Sequence, residues 1–244
     1  MFFRKRLSRF ARTSIIAASA AALAVIPGLT AVGTANAGPN GSLDPILPPG
    51  FPCIHTNVNP PVATWGWSRL DGSQPIFMSG PGGQSGKGSL HMYNSRGAAA
   101  YFHSGFSTPL PQLARQRNSL GYMYKGTSTT FQIRVRDAKR TDKVVSGFTT
   151  LVWQPNYNGG AGANSFVTNN DLAAGKWWST QPIAGQPAGQ SNLRTLSQIA
   201  DANPRAWVTE YGVRNGSATE QNSYADNIVY GCSKWDFEPD ASLS

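Results

Sequence analysis

Short runs of alternating apolar and polar residues, separated by Gly, Asn and Pro, fill most of this chain after residue 53. In residues 131–136 (FQIRVR) every second side chain is apolar, which predicts a strand with one buried face and one solvent face. Residues 147–153 form a β-branched and aromatic run after a polar loop, so the two runs are expected to form a hairpin. Other strand candidates cover residues 63–70, 75–78, 89–93, 99–103, 119–125, 177–180, 206–213 and 224–230. So many short strands predict an all-β sandwich.

One short helix interrupts the β pattern. Residues 195–198 (TLSQ) form a capping-box pattern, in which the Thr195 hydroxyl is followed three residues later by the Gln198 amide. The apolar positions 196, 199 and 200 then share one face, and Asn203-Pro204 ends the pattern. We expect a two-turn helix lying over one end of the sandwich.

The first 37 residues have the three parts of an export signal. They open with five basic residues, Arg4, Lys5, Arg6, Arg9 and Arg12. An apolar stretch over residues 15–26 follows, and Ala35-Asn36-Ala37 matches the pattern that signal peptidase cleaves. The apolar stretch is shorter than the roughly 20 residues that span a bilayer. The sequence therefore predicts a cleaved signal peptide over 1–37 and a secreted product without a transmembrane anchor.

The formal net charge of +9 is largely a property of that segment. Without its five basic residues, the 21 basic residues fall to 16 against 12 acidic ones, a net charge of about +4. A charge of this size is ordinary for a soluble protein and is not the basic footprint of nucleic-acid binding. We expect no nucleic-acid partner.

The mature chain divides into three segments. Residues 38–52 are rich in Gly, Pro, Ser and Asn and predict a disordered lead-in, residues 53–237 one domain, and residues 238–244 a disordered tail. Cys53 and Cys232 are its two cysteines, and an oxidising compartment favours a disulfide between them. Such a bridge makes the first and last strands neighbours. Two separate free thiols are the alternative.

Aromatic residues supply the candidate ligand-binding groups. Tryptophan and tyrosine have flat apolar faces with a polar rim, on which the apolar face of a sugar ring stacks. Trp177 and Trp178 are adjacent, so in a strand one ring enters the core and the other points outward. Trp153 leads into a loop with Tyr157 and amide groups, as in carbohydrate grooves. The candidates are thus Trp153, Tyr157, Trp177 and Trp178, with packing of the outward ring under a loop as the alternative.

Carboxylates and histidines carry weaker signals. A glycosidase needs two converging carboxyl groups, and Glu210 with Asp226 is the available pair, although nothing in their spacing requires them to meet. Asp226 also lies beside an Asn in an otherwise apolar strand, so it either caps backbone amides or holds a structural calcium ion. His91 and His103 lie in neighbouring predicted strands, but a zinc site needs three or four ligands. We expect no catalytic residues.

Three segments carry a resemblance to a known family. They are residues 120–124 (LGYMY) with 131–135 (FQIRV), residues 151–159 (LVWQPNYNG), and residues 195–199 (TLSQI) followed by 224–229 (YADNIV). Their order resembles a jelly-roll domain, similar in architecture to carbohydrate-binding modules, of secreted and cell-surface proteins from Gram-positive bacteria. The resemblance spans residues 65–230. It implies a jelly-roll β-sandwich and provides no catalytic set to carry over.

Together these features predict a secreted, extracellular, monomeric jelly-roll β-sandwich with one short helix. We expect it to bind an extracellular or cell-envelope glycan without catalysis, and to need no cofactor beyond the possible structural calcium. A secreted glycan hydrolase or lyase on a β-sandwich is one alternative. A structural cell-surface interaction protein is the other.

Overall fold

Strands are the main elements of the structure, which is a computed structural model. It describes residues 55–59, 66–69, 76–79, 86, 88–94, 97–139, 147–160, 164–217 and 219–239. All of these residues belong to one compact unit, Pro45–Ser244. The predicted signal peptide over 1–37 and lead-in over 38–52 lie outside the described residues, as does Cys53. Within the described part of the chain, no helix is long and apolar enough to cross a membrane.

The described residues form sixteen strands and two α-helices. The strands are β1 His55–Val58, β2 Trp67–Arg69, β3 Ile76–Ser79, β4 Gly88–His91, β5 Tyr93–Asn94, β6 Gly97–Ala98, β7 Ala100–Pro109, β8 Leu120–Lys125, β9 Thr129–Arg136, β10 Thr149–Trp153, β11 Val167–Asn169, β12 Lys176–Ser179, β13 Arg194–Thr195, β14 Trp207–Asn215, β15 Tyr224–Tyr230 and β16 Ser233–Phe237. The helices are α1 Leu110–Arg115 and α2 Leu196–Ala202, and short 3₁₀ turns occupy Pro155–Tyr157 and Leu172–Ala174.

Two seven-stranded sheets make up the sandwich. Sheet A contains β1, β16, β15, β4, β3, β8 and β11, and sheet B has the order β13-β12-β10-β9-β14-β7-β2. Eight of these strands define the topology when they are numbered first to eighth in chain order. They are β4, β7, β8, β9, β10, β11, β14 and β15. In sheet A the first pairs with the eighth, the eighth with the third and the third with the sixth. In sheet B the order is second, seventh, fourth, fifth. This is the strand order of a jelly roll.

Most of the predicted elements are confirmed. The 131–136 run lies in β9, where Phe131, Ile133 and Val135 are fully buried, and β9 pairs antiparallel with β10 as the expected hairpin. Helix α2 begins with the predicted capping box between Thr195 and Gln198. The first and last described strands are neighbours, because β1 pairs parallel with β16. The short elements β1, β6, β11, β13, β16 and α1 were not predicted.

Aromatic side chains from both sheets meet between them and form much of the core. Trp67 of sheet B packs edge to face against Trp235 and Phe237 of sheet A. The Trp235 indole N–H also donates a hydrogen bond to the Tyr211 hydroxyl of sheet B. Towards the other end, Trp153 of sheet B packs edge to face against Tyr122 and Tyr124 of sheet A. Each such pair adds about 0.5–1.5 kcal/mol beyond the area that it buries.

Gly212 of β14 lies opposite Phe102 of β7 in sheet B and has no room for a side chain. A Cβ added there would overlap the Tyr101 carbonyl oxygen and lie 2.8 Å from the Phe102 Cα. Both obstacles are backbone atoms of the neighbouring strand β7, so a side chain at this position must push the strands apart.

We predict that Gly212→Ala lowers the free energy of unfolding by about 2 kcal/mol, the usual size of an overpacking penalty. Chemical denaturation followed by tryptophan fluorescence measures the change. Gly216→Ala is the matched control, because its added Cβ would meet only ordinary contacts, the nearest at 3.4 Å. Equal stability of the two variants would contradict the prediction.

Candidate functional site

The tryptophan pair on β12 divides between the two sides of sheet B, as strand alternation predicts. Trp177 is fully buried, and its indole Nε1 donates a hydrogen bond to the Leu172 carbonyl oxygen at 2.9 Å. Trp178 points to the opposite, outer side and is partly exposed. Trp153 is also fully buried, packed against tyrosines of sheet A. The burial of Trp153 and Trp177 removes both from any surface site and corrects their inclusion among the ligand-binding candidates.

Trp178 starts a straight row of residues across the outer face of sheet B. Cross-strand pairing places it beside Val152, then Gln132, Gly212 and Phe102. Because directly opposed residues in antiparallel strands point to the same side, the row is a continuous line of side chains interrupted only at the glycine. The indole N–H of Trp178 has no hydrogen-bond acceptor among the described residues.

The floor of this face is less accessible than its rim. Val152, Phe102 and Gln132 are 1, 2 and 7 % exposed, although they lie on the side away from the core. Residues at the rim, including Lys176 and Arg214, are exposed. The outer face of sheet B therefore has covered aromatic, aliphatic and amide side chains at its centre and exposed charged side chains at its rim.

An ion pair lies over part of that floor. The Arg134 guanidinium binds the Glu210 carboxylate on the neighbouring strand with an N–O distance of 2.6 Å. The same guanidinium lies over the Phe102 ring, 4.4 Å from its centroid. Arg134 is thus held in place by a charged partner and an aromatic face, and it orients polar N–H groups above the sheet.

A β-bulge in β14 determines which residues reach the outer face. Val208 and Tyr211 are both buried although they are three residues apart, because the pairing register shifts between Val208 and Glu210. The extra residue lets Trp207 and Glu210 both lie on the outer side. Trp207 is 41 % exposed and is the exposed large hydrophobic side chain among the described residues.

Trp207 lies at the edge of a cleft with a volume of about 1200 Å³. The cleft occupies the end of sheet B where β9 and β7 finish, and its lining consists of Pro109, Asp137, Ala138, Lys139, Gly147, Asn203, Pro204, Arg205, Ala206 and Trp207. It combines apolar ring surfaces with charged groups, a composition typical of ligand clefts.

Asn203 holds the walls of the cleft together. Its side-chain oxygen accepts a hydrogen bond from the Lys139 N–H at 2.9 Å, and its side-chain nitrogen donates to the carbonyl oxygens of Ala184 and Ile199, both at 2.8 Å. Its own carbonyl oxygen accepts from the Ala206 N–H. One buried amide thus joins the loop after β9, the end of α2 and the residues leading to Trp207.

Tyr157 lies at the opposite end of sheet B. It belongs to the 3₁₀ turn that follows β10, is partly exposed, and donates its hydroxyl hydrogen to the Gln190 side-chain oxygen at 3.0 Å. Tyr157 and Trp178 therefore remain candidates for ligand contact.

Asp226 is fully buried in a second bulge, in β15 of sheet A. One carboxylate oxygen accepts the Phe237 N–H and the other accepts the Asn227 side-chain N–H, both at 2.9 Å. Asn227 has φ +48°, a left-handed conformation that Asn tolerates better than most residues. These contacts match the amide-capping interpretation, and a calcium ion at Asp226 stays a prediction.

The other candidate pairs do not converge. His91 lies in sheet A, stacked on Tyr224, whereas His103 lies in sheet B, stacked on Tyr211, so the prediction that they lie in neighbouring strands is wrong. Glu210 lies on the outer face of sheet B and Asp226 in sheet A, in separate layers of the sandwich. Among the described residues, no three His, Cys, Asp or Glu side chains form a group suited to a metal ion.

Comparison of this chain with known protein families, with curated proteins and with solved structures gave no match.

Sequence reasoning missed Trp207 and the cleft beside it. The residue lies inside the predicted strand 206–213, but the bulge that turns it outward breaks the simple alternation of that strand. The signal available in the sequence was the odd spacing of the apolar residues Val208 and Tyr211, which no regular strand can bury together.

We predict that stability falls as pH rises from about 4 to about 8. Burial, with a smaller contribution from the nearby Asp236 carboxyl, raises the pKa of Asp226 to about 8. An unfolded Asp titrates near 3.9, so the folded chain binds the extra proton between these values and loses that stabilisation as pH increases. Thermal unfolding between pH 4 and pH 9 measures the slope.

Asp226→Asn should flatten this pH dependence, because the amide no longer titrates. Asp201→Asn, at an exposed position of α2, is the matched control and should leave the slope unchanged. A slope that survives in Asp226→Asn would rule out Asp226 as its source.

Proposed function

We propose that this protein binds an extracellular or cell-envelope glycan on the outer face of sheet B and in the adjoining cleft. The observation that carries the proposal is the distribution of tryptophan. Four of the six described tryptophans are buried, namely Trp67, Trp153, Trp177 and Trp235. The remaining two, Trp178 and Trp207, both lie on the outer side of sheet B.

The polar groups beside these rings suit sugar hydroxyls. The Arg134–Glu210 pair lies between the two tryptophans on neighbouring strands and offers both hydrogen-bond donors and acceptors. Apolar ring surface with a few fixed polar groups is how ligand sites obtain both affinity and orientation.

The separation of the two rings favours an extended ligand. Trp178 is level with Gln132 of β9, and Trp207 is opposite Arg136, four residues further along the same strand. Across the sheet, the two tryptophans are three strand spacings apart, from β12 to β14. These steps correspond to about 20 Å. A chain of several sugar units fits this distance, whereas a single monosaccharide does not.

The same arrangement argues against a purely structural surface protein, which would show a smooth face without exposed aromatic rings. Catalysis by a Glu210–Asp226 pair also lacks support, because the two carboxyl groups lie in different sheets. Non-catalytic binding is therefore the function we propose.

Secretion and the Cys53–Cys232 disulfide form part of this proposal. Cys232 is not a free thiol, and β1 pairs with β16 in a register that joins His55 to Lys234. Extending that register by two residues would set Cys53 opposite Cys232. Peptide mapping of the secreted protein without reduction tests the pairing, and a free thiol at either position would refute it.

We predict that Trp178→Ala and Trp207→Ala each weaken binding to the glycan found on a glycan array by at least about tenfold. Truncating an aromatic hot spot in a binding site costs about 2 kcal/mol or more, and about 1.4 kcal/mol already corresponds to a tenfold loss. Tyr157→Ala should weaken binding as well if the ligand extends to that end of the sheet.

Phe166→Ala is the matched control, because Phe166 packs against Tyr224 of sheet A, away from the proposed surface. It should bind as the unmodified protein does. Thermal unfolding of each variant separates lost binding from lost folding. Failure of the protein to bind any glycan on the array, or any cell-envelope fraction, would refute the proposed function.

A further inference from the structure

Positive charge concentrates on the side of the molecule that carries the two outer tryptophans. The outer face of sheet B and the cleft together hold six basic residues and two acidic ones, namely Lys139, Lys176, Arg134, Arg136, Arg205 and Arg214 against Asp137 and Glu210. Among the described residues, only Arg134 of these six makes an ion pair. The other five have no carboxylate within ion-pair distance in the part of the chain that the structure describes.

The opposite face is less positive. In sheet A the outward positions include Lys125 and Lys234 together with Asp236, which lies two residues after Lys234 on the same side of β16. The positive field is therefore a property of one face, and a field of this kind attracts an anionic ligand to that face.

Arg136 and Trp207 form the central pair of this positive region. They are directly opposed on β9 and β14, which places their Cβ atoms about 4.5–5.5 Å apart on the same side of the sheet. The Arg136 guanidinium lies 5.6 Å from the centroid of the Phe148 ring, which limits its freedom. A planar cation thus lies on the same side of the sheet as the exposed indole at the edge of the cleft.

This pair offers two different contacts to one ligand unit. The indole presents a flat apolar face to a sugar ring, and the guanidinium presents a fork of N–H groups that matches a carboxylate with two parallel hydrogen bonds. Lys139 and Arg205, on the walls of the same cleft, add further cations. A sugar with a carboxylate attached to its ring satisfies both contacts at once.

We infer that Trp207 and Arg136 form a subsite for a uronic acid, so that the bound glycan is a carboxylate-bearing polysaccharide. The inference rests on the glycan binding proposed above and specifies its ligand class. A phosphodiester-linked polyol would meet the cations equally well, but it has no ring to stack on Trp207. The combination of ring and cation therefore favours the uronate.

The test is calorimetric titration of the full mature chain with polygalacturonate and polyglucuronate, each beside its carboxyl-reduced neutral form. We expect at least one acidic polymer to bind about tenfold or more tightly than its reduced form, with a preference that weakens as salt is added. Arg136→Gln should remove most of this preference, because it weakens binding of the acidic polymer far more than binding of the neutral one. Trp207→Ala should weaken binding of both forms.

Lys125→Gln is the matched control, since it removes one positive charge from the outer side of sheet A and should preserve the preference. Equal binding of the acidic and reduced polymers, together with binding to a neutral glycan on the array, would overturn this inference and leave the proposed function standing. Binding of a polyglycerol phosphate that is as tight as that of the uronate and insensitive to Trp207→Ala would also overturn it. Absence of binding to every glycan would refute both.

Discussion

Aromatic side chains that meet between the two sheets are the constraint on which the rest of this structure depends. The Trp235 indole N–H of sheet A donates to the Tyr211 hydroxyl of sheet B at 2.7 Å, and the Tyr211 ring stacks on Tyr230 with centroids 4.1 Å apart. Burial raises the pKa of both tyrosine hydroxyls, so they remain protonated and can donate hydrogen bonds. Because these large rings must all point inward, each strand has a fixed inner side. The outer side of sheet B follows from that choice.

Two β-bulges change the alternation of inner and outer side chains in strands that contribute to this aromatic core. Each of the two strands buries a pair of residues three positions apart, which a regular strand cannot place on one side. The pairs are Val208 and Tyr211 in β14, and Ala225 and Ile228 in β15. One extra residue in each strand resets the alternation. The bulge in β14 brings Trp207 to the surface beside Arg136. The bulge in β15 buries Asp226, whose carboxylate then accepts the Phe237 N–H in the adjacent strand.

Most of the architecture could be predicted from the sequence, because alternation in β9 and the capping box of α2 are local signals that the core reinforces. The division of Trp177 and Trp178 between core and surface also follows from alternation alone. The site was less predictable. Trp153 looks like a loop-flanking platform in the sequence, but it is buried because sheet A covers it with Tyr122 and Tyr124. The cleft depends on Asn203, whose contacts with Lys139 and Ala184 are long-range and leave no local pattern.

The distribution of charge follows from how the fold uses its few carboxylates. Glu220 accepts the N–H groups of Thr127 and Ser128 in the turn before β9, and Asp171 accepts an N–H at the start of a 3₁₀ turn. Asp226 is committed inside sheet A, and Glu210 is paired with Arg134. These carboxylates satisfy groups of the protein itself and cannot neutralise cations elsewhere. Unpaired basic side chains therefore concentrate on the outer face of sheet B, although the net charge of the chain is modest. Trp178 and Trp207 lie on the same face, and the combination of aromatic rings and positive charge makes this face chemically distinct.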